Sequence, residues 1–242
     1  MFQSNNRNTT YIIILVVVVL IALANSSQNS LISTVISLPG VLIAITFHEF
    51  AHAFAADKLG DNTPRMQGRL NLNPLSHIDP YGIVLLIFAG FGWGKPVQIN
   101  PRNFKNMTKG EIIVSLAGPL MNFLLSIIFS IIYCFAFMYV IENQSELNLY
   151  ILSAIHSTIV INIGLGVFNL IPLPPLDGSK IFKNIMPLKI RIWLENNETI
   201  FYYLFIAIWI TGISSYIITP IISFIYNIEL SSIASLFGLI IK

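Results

Sequence analysis

Charge is what this 242-residue sequence has least of: Asp, Glu, Lys and Arg make up only 10% of it and hydrophobic residues 55%. A soluble domain carries about 25% charged residues, so a water-soluble globule is excluded. A net charge of +2 without any polybasic run excludes a nucleic-acid surface. Cysteine is nearly absent as well. Cys134 is alone, which rules out disulfide bracing and a cysteine-rich zinc site, and inside an apolar run it reads as a small packed side chain. Internal repeats, low-complexity segments and an appended soluble domain are all missing. Residues 1–242 therefore read as one membrane-embedded domain.

What the chain has instead is apolar length. A helix needs roughly 20 apolar residues to cross about 30 Å of hydrocarbon. Candidate crossings are Tyr11 to Ala24, Leu31 to Ala56, Glu111 to Val140, Leu149 to Ile171, Ile200 to Ile218 and Ile221 to Ile241. The pattern predicts an all-α polytopic membrane protein of about six transmembrane helices. Arg7 followed by a short apolar run and Ala22-Leu23-Ala24 mimics a signal peptide, but the reading adopted is an uncleaved first helix. All 13 Lys and Arg fall at Arg7, within 58–109, within 180–191 or at Lys242. Six alternating crossings would put those regions on one face, so the positive-inside rule predicts a multi-pass cell-membrane protein with both termini cytoplasmic.

Two polar interruptions break the apolar pattern. The first, Asp57 to Gly110, contains a weakly hydrophobic stretch, Tyr81 to Phe91, that is too short to cross as a helix. It runs into Gly92-Trp93-Gly94-Lys95-Pro96. Irregular backbone at membrane depth is tolerated where protein or a water-filled cavity buries it, which predicts a re-entrant loop or β-hairpin between helices 2 and 3. The second interruption, Ile171 to Gly178, places Pro172, Pro174 and Pro175 ahead of Asp177. The prolines remove backbone donors and force a helix to end there.

Chemistry concentrates in the second apolar run, which reads His48-Glu49-Phe50-Ala51-His52. Residues four apart share a helix face, so His48 and His52 can aim at one ion while Glu49 stands beside it as general base. His48 lies nine residues before Asp57, about 13 Å along a helix and well below the membrane surface. Three ionisable groups at such depth are costly without compensation, and a metal ion supplies it. A catalytic zinc takes three protein ligands, keeps one position open and lowers the pKa of water there to about 7. Candidates for the third ligand are Asp177, Asp79, His77, His156 and Glu229. Asp177 is preferred because its helix end lies at the depth of the histidine pair. His77 and Asp79 lie among turn formers and read as loop-shaping, His156 as a packed bundle residue, and Glu229 as paired with a polar neighbour.

Taken together, His48-Glu49-x-x-His52, Gly92-Trp93-Gly94-Lys95-Pro96-Val97, Ala117-Gly118-Pro119-x-x-Asn122 and Asn169-x-x-Pro172-x-Pro174-x-x-Asp177-Gly178 resemble the site-2 protease family of intramembrane zinc metalloproteases. The resemblance covers about residues 31–182, taken as the catalytic core, and is to short, core-only members without a PDZ or CBS domain. It implies one Zn2+ per chain held by His48, His52 and Asp177, and Glu49 as base. Its substrates would be single-span or signal-type membrane proteins in the bilayer of a prokaryotic cell. Substrate contacts would fall to Asn169, Asn122, Gly92 and Gly94. The competing readings are a non-catalytic metal-binding scaffold, which would be expected to have lost Glu49 or a ligand, and a transporter, which would show paired discontinuous segments in two related halves. Neither feature is present.

Overall fold

Long apolar stretches set the helices, and short polar residues set their ends. A computed structural model describes residues 28–79, 81–82 and 93–238. In chain order these form α1 (Gln28–Lys58), the short turns α2 (Thr63–Met66) and α3 (Pro74–His77), and a 3-10 turn at Pro101–Asn103. The long helices α4 (Met107–Glu142) and α5 (Glu146–Asn169) follow, then α6 (Asp177–Ile185), α7 (Leu188–Asn196), α8 (Glu198–Ile210) and α9 (Ile213–Leu236). Among the described residues there is no strand, only an isolated antiparallel bridge between Ile78 and Gly94. Helices α1, α4, α5 and α9 are long and apolar enough to cross a membrane.

The side chains of Asn106 and Ser145 accept the Lys109 and Asn148 backbone N–H groups at the starts of α4 and α5. The short connection between these helices makes them antiparallel neighbours, and α1 packs against both. Small residues allow the approach: a Cβ on Gly40 would lie 2.9 Å from the Cα of Thr158, and one on Gly166 would lie 2.9 Å from the Phe123 ring. The Ala44 carbonyl meets Asn122 and His52 meets the Val114 carbonyl, so α1 runs antiparallel to α4 and hence parallel to α5.

Helix α9 completes the bundle, with a direction the sequence pattern does not reveal. Glu229 accepts hydrogen bonds from Ser126 and Ser130 of α4, while Leu230, Ile233 and Ala234 pack on Cys134 and Phe237 meets Phe135. Gly164 faces Ile222, whereas His156, earlier in α5, stacks edge-on with Tyr226. Helix α9 therefore runs parallel to α4.

Two expectations change accordingly. The run Ile200 to Ile218 is not one crossing: α8 ends at Ile210 because Gly212 adopts a left-handed φ of 71°. Pro220, expected in a loop, lies inside α9. Thirteen residues extend only about 20 Å, short of a full span. Phe168 of α5 packs on Phe205 and Trp209, so α8 stands at the end of the bundle that carries Asp177. The expected first helix, Tyr11 to Ala24, and nearly all of the Tyr81 to Phe91 stretch with Gly92 lie outside the described residues.

Candidate metal centre

One face of α1 and the first residue of α6 build the site. His48 and His52, one turn apart, are both buried, and so is Asp177, which opens α6 just after the proline-rich turn. The Nε2 atoms of the two histidines are 3.0 Å apart and lie 3.2 and 2.9 Å from Asp177 Oδ2. The outer nitrogens fix the tautomers. His48 Nδ1 donates to Asn122 Oδ1 at 2.6 Å, and His52 Nδ1 donates to the Val114 carbonyl at 2.7 Å. Both Nε2 lone pairs then point inward at a carboxylate oxygen, three acceptors with no donor among them. A cation resolves that repulsion, and two imidazole nitrogens with one carboxylate oxygen are a donor set that zinc takes. Together they form the one cluster among the described residues able to hold a metal ion.

The wall behind the cluster is shaped for it. A Cβ on Gly118 of α4 would sit 2.5 Å from His52 Nε2 and 2.7 Å from His48 Nε2, inside the space the ligands use. Gly178 is constrained from the other side, since a Cβ there would strike the carbonyls of Leu170 and Ile171. Asp177 is thereby pressed against the end of α5. The Lys180 ammonium, 3.2 Å from Asp177 Oδ1, favours the anionic form of the carboxyl.

Glu49 lies beside the cluster and accepts the Val97 N–H at 2.9 Å through Oε2. Val97 belongs to an extended segment pinned by the Lys95 N–H donating to the His77 carbonyl at 2.8 Å. Between this segment, α5 and α8 opens a cavity of about 740 Å³ whose lining includes Glu49, Gly94, Phe168, Asn169 and Phe205. Its far wall is apolar and its near wall carries the ligands and the carboxylate.

The residues singled out by sequence divide clearly. His48, Glu49, His52, Asp177, Asn169 and Gly94 line the cavity. Asn122 stands behind the site instead. It is fully buried, and its Nδ2 donates to the Ala44 carbonyl and to Asn162 Oδ1, which leaves no amide hydrogen for a substrate. Gly92 is outside the described residues. His77 is buried, holding the Asn71 carbonyl, and Asp79 caps the backbone of Tyr81, as loop-shaping residues do. His156 packs between Tyr133 and Tyr226, remote from the cluster.

Residues 36–212 match Peptidase family M50. The chain belongs to that family. Its relatives within reach include YwhC of Bacillus subtilis (strain 168), designated a zinc metalloprotease, at 35% identity over 202 residues, 84% of this chain and 90% of that protein. Rip2 of Mycobacterium tuberculosis (strain H37Rv), with the same designation, is 28% identical over 148 residues, 60% of this chain and 54% of its own length. The zinc metalloprotease MJ0392 of Methanocaldococcus jannaschii is 25% identical over 169 residues, 70% of this chain and 40% of its own length. No solved structure matches.

Sequence reasoning about this M50 chain missed Asn162, which carries no motif. The available signal was an amide in the middle of an apolar helix, costly unless bonded to a neighbouring helix. It also named Gly118 without a role, because only the interhelical distance reveals one.

Proposed function

We propose that this M50 chain is an intramembrane zinc metalloprotease that hydrolyses peptide bonds within or near transmembrane segments of other membrane proteins, with His48, His52 and Asp177 as ligands and Glu49 as base. The observation that carries this reading is the convergence of three acceptor atoms beside a carboxylate on the wall of one cavity. When bound, zinc polarises the scissile carbonyl and lowers the pKa of water to about 7. Glu49, oriented by the Val97 N–H, takes the proton of the attacking water and hands it to the departing amine. Asn169 commits its Nδ2 to the Leu165 carbonyl through one hydrogen, and the second is the donor assigned to the substrate backbone. Asn122 serves as the partner that orients His48.

The substrate in this reading is a single-span or signal-type helix that unwinds locally, since a helix hides its carbonyls in hydrogen bonds. Its extended stretch lies along the Trp93–Ile99 side of the cavity. Gly94 keeps the wall close: a Cβ there would meet Ile45 Cγ2 at 2.6 Å. The ligand end of the bundle faces the cytoplasm in this reading.

The test combines metal content with turnover. The purified protein should bind about one zinc per chain, with His48→Ala, His52→Ala or Asp177→Asn weakening binding. Glu49→Gln should keep the metal and lower turnover by about 10²- to 10⁴-fold. A single-span substrate with a mid-span Gly-Pro should be cut faster than its all-Leu counterpart, and a chelator should stop both. Full zinc occupancy in Asp177→Ala would overturn the ligand assignment, and chelator-insensitive cleavage would overturn the reaction.

A further inference from the structure

Asp177 has two carboxylate oxygens, and they have separate partners. Oδ2 faces the two histidine Nε2 atoms, whereas Oδ1 accepts from the Lys180 Nζ at 3.2 Å. We propose that Lys180 is a positioning residue of the metal centre: its ammonium holds Oδ1 so that Asp177 offers the ion one oxygen only. The inference rests on reading His48, His52 and Asp177 as ligands.

Helix geometry places Lys180 one turn beyond Asp177 on the same face of α6. Its side chain is 49% exposed, so as a bare ion pair it would contribute little. The consequence is geometric, because the surrounding backbone is clamped. The buried side chain of Asn184 donates through Nδ2 both to the Lys180 carbonyl at 2.9 Å and to Glu111 Oε2 of α4 at 2.8 Å. The turn bearing Lys180 is thereby tied to the helix that carries Gly118 and Val114, the wall of the same centre. Lys180 also lines the cavity, so its ammonium approaches Oδ1 from the open side rather than from the packed bundle.

A carboxylate can bind an ion with one oxygen or with both. A catalytic zinc needs three protein donors and an open fourth position, and a second carboxylate oxygen would fill it. With Oδ1 engaged by Lys180, that position stays free beside Glu49. Without Lys180 the carboxyl can turn and close it.

Loading the purified protein with Co2+ in place of zinc makes coordination visible, because four-coordinate Co2+ absorbs more strongly than five-coordinate Co2+. Lys180→Met, of similar length and uncharged, should retain one Co2+ per chain, absorb more weakly in the visible and lose about 10- to 100-fold in turnover, the range for removing a ligand's partner. Lys180→Arg should restore both the spectrum and the rate. An unchanged spectrum in Lys180→Met, even with reduced turnover, would overturn the positioning role while leaving the ligand assignment intact. A Lys180→Arg spectrum like that of Lys180→Met would overturn it equally. Failure of the unsubstituted protein to take up Co2+ would remove the ligand assignment as well.

Discussion

Gly118 matters for the atom it lacks. Its backbone forms the floor of the metal cluster, and a methyl group there would fall 2.5 Å from His52 Nε2. Gly118→Ala should therefore displace the imidazoles and weaken zinc binding at least about tenfold, comparable to losing a ligand's partner. Gly164→Ala is the matched control, because its Cβ would meet only Ile222 Cδ1 at 3.4 Å. Zinc titrations of the two variants decide the matter, and equal affinities would show that the floor yields. The contrast also explains what could be read beforehand. His48, Glu49 and His52 were legible because one helical turn fixes their relation. The roles of Gly118, Asn122 and Asn162 depend on how closely α1, α4 and α5 approach, which no spacing within one helix encodes.

At the scale of elements, Val97 and Phe104 are the buried hydrophobic residues among those described between α1 and α4, and a buried carboxylate organises the segment with them. Asp61, with no exposed surface, accepts the Thr63 N–H and hydroxyl, the Asn100 N–H and the Asn103 side chain. Burial alone would raise its carboxyl, but these four donors hold it below the ordinary value. A carboxyl lowered on folding contributes its full stabilisation above the unfolded value, near pH 4, and loses it as pH falls through the lower folded value. Asp61→Asn should lower the thermal midpoint of the detergent-solubilised protein by a constant amount from pH 7 to pH 5. The gap should narrow below about pH 4. A gap unchanged at pH 3, or none at neutral pH, would contradict the role given to Asp61. Element boundaries show a similar division. The starts and ends of α1, α4 and α5 followed the apolar runs closely. The break between α8 and α9 did not, because Gly212 outweighs Pro220 as a stop: glycine reaches the left-handed geometry that ends a helix, whereas a proline within a long apolar helix can be accommodated by its neighbours.

For the whole molecule, the direction of α9 bears on which side the described chain ends. Alternating six crossings would return residue 242 to the face that carries the Lys180 to Arg191 cluster. The contacts of α9 say otherwise. Moving from Ile222 to Phe237, its partners shift from Gly164 to His156 on α5 and from Ser126 to Phe135 on α4, so it ascends away from the metal centre. Helix α8 cannot supply the missing crossing, since its 13 residues reach about 20 Å against about 30 Å of hydrocarbon. Its aromatic side chains instead close the cavity at the ligand end. A hydropathy run reports apolar length and not direction, and Lys242 is one charge, too few to orient a helix against its packing. A reporter fused after Lys242 should therefore register the same side as one inserted at Ser145, between α4 and α5, and the opposite side from one inserted at Pro187, between α6 and α7. Each fusion should keep bound zinc, as a check that the bundle has assembled. A Lys242 fusion that reports with Pro187 would mean that α8 crosses after all, and the parallel packing of α9 on α4 would be wrong.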